Sequence, residues 1–240
     1  MKTNTRNSIL KKTIPILLIA AILTLSGTAA QAQLGGVFGS KPANGVVVDK
    51  DSFRKSSDEV IGKVLMARIA FLDAKAKLME ALGLKTDSVI KASEALRATE
   101  GSTSSKDKMK GIEESKKTSA EADQQLADSL AQSKELSAES KVMFAEGTGK
   151  FIEGVLLEKD QIERIQKLVE QGQSMTQSAS MFEKPKVLGL VKPVTTLSTM
   201  VPGDVKEGTL TLGKIMKFAK KENISITNAD KATASLGSLD

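Results

Sequence analysis

From Asp51 to Phe182 the chain runs 132 residues without a proline, and Ala, Lys, Glu, Leu, Ser and Gln dominate that run. Proline is the strongest helix breaker, because it lacks the N–H the helix needs and its ring meets the carbonyl four residues back. A long stretch of good helix formers with no breaker, in a chain with no Trp or Tyr to favour strands, points to an all-α fold. Within it Val60, Val64, Ala67, Phe71, Ala74, Leu78 and Ala81 recur at alternating spacings of four and three. That heptad seam lies on one stripe of a helix, and Ile61, Leu65, Leu72, Met79 and Leu82 widen it into a broad face that other helices must cover.

The remaining elements follow from start and stop signals. Ser56-x-x-Glu59 has the spacing of a capping box, so the first helix is expected to begin there or a turn earlier, and Gly83 to end it. A second helix is expected over Thr86 to Ala98, followed by the loop EGSTSSKDK. From Lys106 to Glu146 the sequence predicts one helix of about 40 residues, near 60 Å long at about 1.5 Å per residue. Its seam, Ile112, Ser115, Ser119, Ala122, Leu126, Ser129, Ser133, Leu136, Ser140 and Met143, is mostly small and invites close approach by a partner helix. The competing reading of residues 106–140 is a disordered or isolated helical segment, because the stretch is so polar. Gly147-Thr148-Gly149 is expected to reverse the chain, and Phe151, Val155, Ile162, Ile165 and Val169 to carry a fourth helix back. The architecture expected is an elongated antiparallel helical bundle built on a long helical hairpin, with short C-terminal helices.

The N-terminus carries an address. Lys2, Arg6, Lys11 and Lys12 precede the apolar run TIPILLIAAILTLSG, and Ala30-Gln31-Ala32 supplies a small-x-small cleavage site. Residues 1–32 therefore read as a cleaved signal peptide; the run from Ile14 to Leu25 is short of the about 20 residues a spanning helix needs. The expectation is a chain beginning at Gln33 that is periplasmic or secreted. With no cysteine there is no lipid attachment at the cleavage site and no disulfide, so packing alone must hold the fold. The divisions expected are a flexible leader over 33–50, the long-helix bundle over 51–183, basic apolar C-terminal helices over 184–222, and a flexible tail over 223–240.

Removing the signal peptide lowers the net charge from +6 to +2, so the high pI is weak evidence for nucleic acid. Seven Phe residues, largely at helical core positions, do not make a stacking platform for bases either. What remains is unevenly placed: residues 184–221 hold eight lysines against Asp204 and Glu207.

The inventory of reactive side chains is thin. Without His or Cys the usual general base, the thiol nucleophile and the soft metal ligands are missing. Glu113-Glu114 and Glu121-x-Asp123 are one or two residues apart, so they do not face each other on a helix, and they read as solvated faces. Gly147-Thr148-Gly149-Lys150 looks like the end of a phosphate-binding loop, but Phe144 stands where the motif needs Gly and Phe151 where it needs Ser or Thr. No enzyme activity, cofactor or metal is expected; a carboxylate-based metal site is the least favoured of three readings.

Binding surfaces are left, and the C-terminal segment is the first candidate. Pro193 suits the first turn of a short helix carrying Val194, Leu197 and Val201. Pro202-Gly203 reads as a turn, and Asp204-x-x-Glu207 as the capping box of a last helix with Leu212, Ile215, Met216 and Ala219 on one face and Lys214, Lys217 and Lys221 on another. The candidate partner or membrane surface is therefore Lys192, Leu197, Val201, Leu212, Lys214, Ile215, Met216, Lys217, Phe218 and Lys221. The leading functional reading is an exported, non-catalytic helical binding or scaffold protein of the bacterial cell envelope. Its partner is a protein or another envelope component. The alternative is a lipid-binding or pore-forming protein that applies residues 187–221 to an anionic membrane surface.

Overall fold

A computed structural model describes residues 49–132 and 135–237 of the 240-residue chain; the signal segment 1–32 and the leader as far as residue 48 lie outside the described residues. The described residues form seven helices and no strand: α1 Lys50–Ala81, α2 Asp87–Glu100, α3 Ser105–Ala131, α4 Ala138–Lys159, α5 Ile162–Ser178, α6 Lys184–Lys221 and α7 Ala229–Leu236. This is the all-α bundle expected from the sequence.

Helix α1 is its axis. Both of its seams are buried, from Val60 and Ile61 through Leu78 and Met79 to Ala81 and Leu82, and α2, α3, α4, α5 and α6 all pack on it. Cross-helix pairs fix the directions. Helix α2 starts just past the end of α1, and its Ser93 and Arg97 bond Asp73, so α2 runs back along α1. Ser105 bonds Asp58 and Ser119 bonds Lys75, so α3 runs parallel to α1. Helices α4 and α5 run antiparallel to it, because Glu158 meets Arg68 and Arg164 meets Glu59. Helix α6 is parallel again, from Glu183 beside Lys50 to Asp204 beside Arg68.

Local chemistry explains the boundaries. Helix α1 starts six residues before Ser56, with the Asp49 carboxylate accepting from Ser52 N at 3.0 Å; the Ser56–Glu59 pattern lies inside the helix and caps nothing. The start falls upstream of the expected one because the better cap lies there. At its other end Gly83 takes φ +72°, which lets Leu84 N reach Met79 O at 2.8 Å and closes the helix as expected.

Two long-range expectations are corrected. The helix expected over 106–146 is two helices, broken between Ala131 and Ala138, where Ser137 caps α4 through Ser140 N at 3.1 Å. Gly147 and Gly149 do not turn the chain but lie inside α4. Gly147 is there for proximity: a Cβ at that position would stand 3.0 Å from Leu78 Cγ, 3.1 Å from Leu78 N and 3.2 Å from Ala74 O. The second correction is α6. Instead of two short helices divided at Pro202-Gly203, one helix of 38 residues passes through Pro193 and Pro202. The interior penalty is about 3 kcal/mol per proline, and it is offset by the burial of Val187, Val191, Val194, Leu197, Val201, Leu212, Ile215 and Phe218 on a single face. Pro202 lies on the exposed side and Pro193 is half-buried. Residues 223–240, read as a flexible tail, contain α7, which rests on α4 with Ala232 buried and the Lys159 amine on Ser235 O.

Candidate functional site

The bundle holds its charges in an unusual place. Arg68 and Glu158 are almost wholly enclosed, with Asp204 beside them. The Arg68 guanidinium lies with Nε 3.2 Å from Glu158 Oε1, and its Nη2 donates to Asp204 Oδ2. One residue of α1 thus ties α4 and α6 to the axis. Two turns along, Lys75 Nζ donates to Asp123 Oδ2 at 2.7 Å and to Ser119 Oγ at 2.6 Å and O at 3.1 Å, which ties α3. Phe71 lies between the two, edge-on to Phe151 with centroids 5.2 Å apart and 5.9 Å from Lys75 Nζ. Helices α4 and α6 come close enough for this because Gly154 and Gly208 face that ring; a Cβ on Gly154 would meet Phe71 at 3.1 Å.

The cluster sets two cations, Arg68 and Lys75, against three carboxylates, Glu158, Asp204 and Asp123. Burial disfavours every charge, and the carboxylate least compensated gives way. Burial pushes Glu158 up to about 7, against the pull of Arg68 and Lys75. Neither Glu158 oxygen finds a hydrogen-bond donor, and the Arg68 Nε–H is not directed at one, so the 3.2 Å contact is ionic rather than hydrogen-bonded. Burial also lowers Lys75 and raises Asp123, in each case against the attraction of the other. The adjoining cavity, lined by Arg68, Lys75, Ser119, Asp123, Asp204 and Glu207 among others, has a volume of about 40 Å³. It accommodates a few water molecules and no organic substrate.

The residues singled out in the sequence separate into two groups. Leu197, Val201, Leu212, Ile215 and Phe218 are buried in the bundle, Phe218 against the Phe144 ring at 5.1 Å. Lys192, Lys214, Lys217 and Lys221 are exposed and Met216 is half-buried. The expected surface is therefore not one surface: its apolar half is core and its lysines are the outer side of α6. Lys214, Lys217 and Lys221 do share an open groove with Gln124, Asp128 and Leu130 of α3. Glu113 and Glu114 are exposed as expected, whereas Asp123 turns inward to Lys75 rather than lying on a solvated face. Asp204 caps no helix; it is the α6 end of the Arg68 bridge. Among the described residues no three or more Asp or Glu side chains gather as a metal site, and no helix is long and apolar enough to cross a membrane.

Arg68, Lys75 and Glu158 do not stand out as site residues in the sequence, although a signal for each is there. Ile61, Leu65, Arg68, Leu72, Lys75, Met79 and Leu82 keep the alternating four-three spacing of a second seam, with two cations at apolar places. Phe144, Thr148, Phe151, Val155, Glu158, Ile162 and Ile165 do the same with one acid. Compared with known proteins, the chain matches no family, no curated protein and no solved structure.

Proposed function

We propose that the chain is an exported, non-catalytic helical binding or scaffold protein of the bacterial cell envelope, which acts through the outer faces and ends of a folded bundle. The observation that carries this reading is the place of Asp204. It sits mid-way along α6 and is bonded to Arg68 inside the bundle, and the apolar face of α6 is buried along its length. A helix committed to the core in this way serves as framework. Releasing it to a membrane, as the lipid-inserting alternative requires, would leave Arg68 with the protonatable Glu158 alone and would expose a stripe of buried side chains. The interior charges form ion pairs across α1, and the cavity beside them holds only about 40 Å³, which supports binding at the outside over chemistry within.

The reading is tested in a bacterium expressing the full chain. Fractionation by osmotic shock, with mass spectrometry of the N-terminus, is expected to recover protein beginning at Gln33 outside the inner membrane. Photo-cross-linkers at exposed positions such as 90, 142 and 182 are expected to give adducts at one or more of them. A chain that stays unprocessed in the cytosol, or adducts at none of these positions, contradicts the proposal.

A further inference from the structure

The corner between α5 and α6 carries two successive apolar side chains with almost no cover: Met181 is 84% and Phe182 is 91% exposed. The turn does not need them. Its bonds are made by the residues on either side, with Glu183 N and Lys184 N donating to Ser180 O at 3.0 Å and Ser180 Oγ donating to Glu183 Oε2 at 3.1 Å. Pro185 and Leu188 extend the apolar surface along the outer side of α6, and Lys184, Lys186 and Lys192 are exposed around it. From Gln171 to Gly203 the chain has one acid, Glu183, whose charge Lys50 meets at 2.6 Å. The start of α1 beside it adds Asp49 and Asp51 together with Arg54 and Lys55, so the whole corner stays positive.

We propose that this corner docks the bundle on an anionic bilayer, with Met181 and Phe182 entering the interfacial layer and Lys184, Lys186 and Lys192 resting among the headgroups. Exposed apolar tips followed by exposed lysines of α6 complement such a surface on both counts, apolar to the acyl boundary and positive to the phosphates. A folded protein or a second copy fits less well. A stable interface of that kind takes about 800 Å² from each partner, far more than two side chains offer, whereas lipids close around a small wedge. The inference rests on the envelope reading above and names the envelope component as a lipid surface. It differs from insertion of residues 187–221, because α6 stays in the bundle.

With no Trp or Tyr in the chain, Phe182→Trp creates a sole indole at a position exposed enough to leave the fold unchanged. The variant is mixed at low salt with vesicles of phosphatidylcholine alone or of phosphatidylcholine with phosphatidylglycerol. Emission is expected to shift to the blue, and to be quenched by brominated acyl chains, only with the anionic vesicles. In the parent chain, Met181→Ser combined with Phe182→Ser is expected to lower the vesicle-bound fraction about tenfold or more, and Met66→Ser, at another exposed methionine, to leave it unchanged. An unmoved indole spectrum, equal binding to neutral vesicles, or a blue shift that appears with protein concentration and no lipid overturns the proposal; the last result assigns the corner to a second copy. The indole reports on the corner in processed and unprocessed chain alike. A silent indole therefore defeats the docking inference, while an unprocessed cytosolic chain defeats the export reading.

Discussion

Glu158→Gln is expected to make the protein more stable, and only at neutral and alkaline pH. The wild-type carboxyl titrates at 4.5 when unfolded and at about 7 in the bundle, where burial opposes its charge. Between those values the folded chain keeps a proton that the unfolded chain has released. The stability contributed by Glu158 is therefore fully present below about 4.5 and is lost as pH rises through about 7. A displacement of that size corresponds to a loss of about 3 kcal/mol. Glutamine has the shape of the protonated acid and does not titrate, so it escapes that loss, and Arg68 keeps Asp204 as its counter-charge. Urea unfolding followed by far-ultraviolet circular dichroism should give nearly equal stabilities for the two proteins near pH 4 and an advantage of about 3 kcal/mol for the variant near pH 8. A variant less stable than the parent near pH 8 would mean instead that ionised Glu158 and Arg68 attract each other by more than their burial costs.

Other substitutions probe the same framework. Arg68→Met strips the cation from two buried carboxylates and should cost about 3–5 kcal/mol. Lys75→Met should cost under about 1 kcal/mol, because it removes a desolvated charge and leaves an Asp123 side chain that is 28% exposed and can turn to water; thermal melts of the pair should rank them in that order, and equal losses would show that burial does not decide the difference. Gly147→Ala should destabilise by about 1–2 kcal/mol, as its methyl meets the backbone of α1, while Gly149→Ala, with open space around it, should gain up to about 1 kcal/mol of helix propensity. The same sign at both positions in denaturant melts would remove the close-approach role of Gly147.

How much of the fold is legible in the sequence depends on whether the deciding interaction is local. The seam from Val60 to Ala81 is a strong period, and every one of its members is buried. Gly83 is legible because a left-handed C-cap is a property of one residue. The break after Ala131 is hidden because Ser137 resembles the many other serines of the run; only its bond to Ser140 N marks it as a cap. Pro202-Gly203 misleads for the opposite reason. It is a strong local turn signal, overridden by the burial of Val194, Leu197 and Val201 before it and Leu212 and Ile215 after it. Asp204 fits a local capping pattern, while its actual partner lies 136 residues away. The charges at seam positions 68, 75 and 158 are visible as breaks in an apolar period, but which charge meets which is set by the helix order, and no spacing contains that.

Whether the bundle stays closed on a lipid surface and works from its outside can be read from hydrogen exchange with and without anionic vesicles. Amides of α6 from Val191 to Phe218 are expected to keep their protection when lipid is added, because Asp204 remains on Arg68 and the apolar face remains covered. Amides of residues 179–186 are expected to gain protection. Loss of protection along α6 in the presence of vesicles would show the helix leaving the bundle, and a bundle that opens on lipid does not work from its outside.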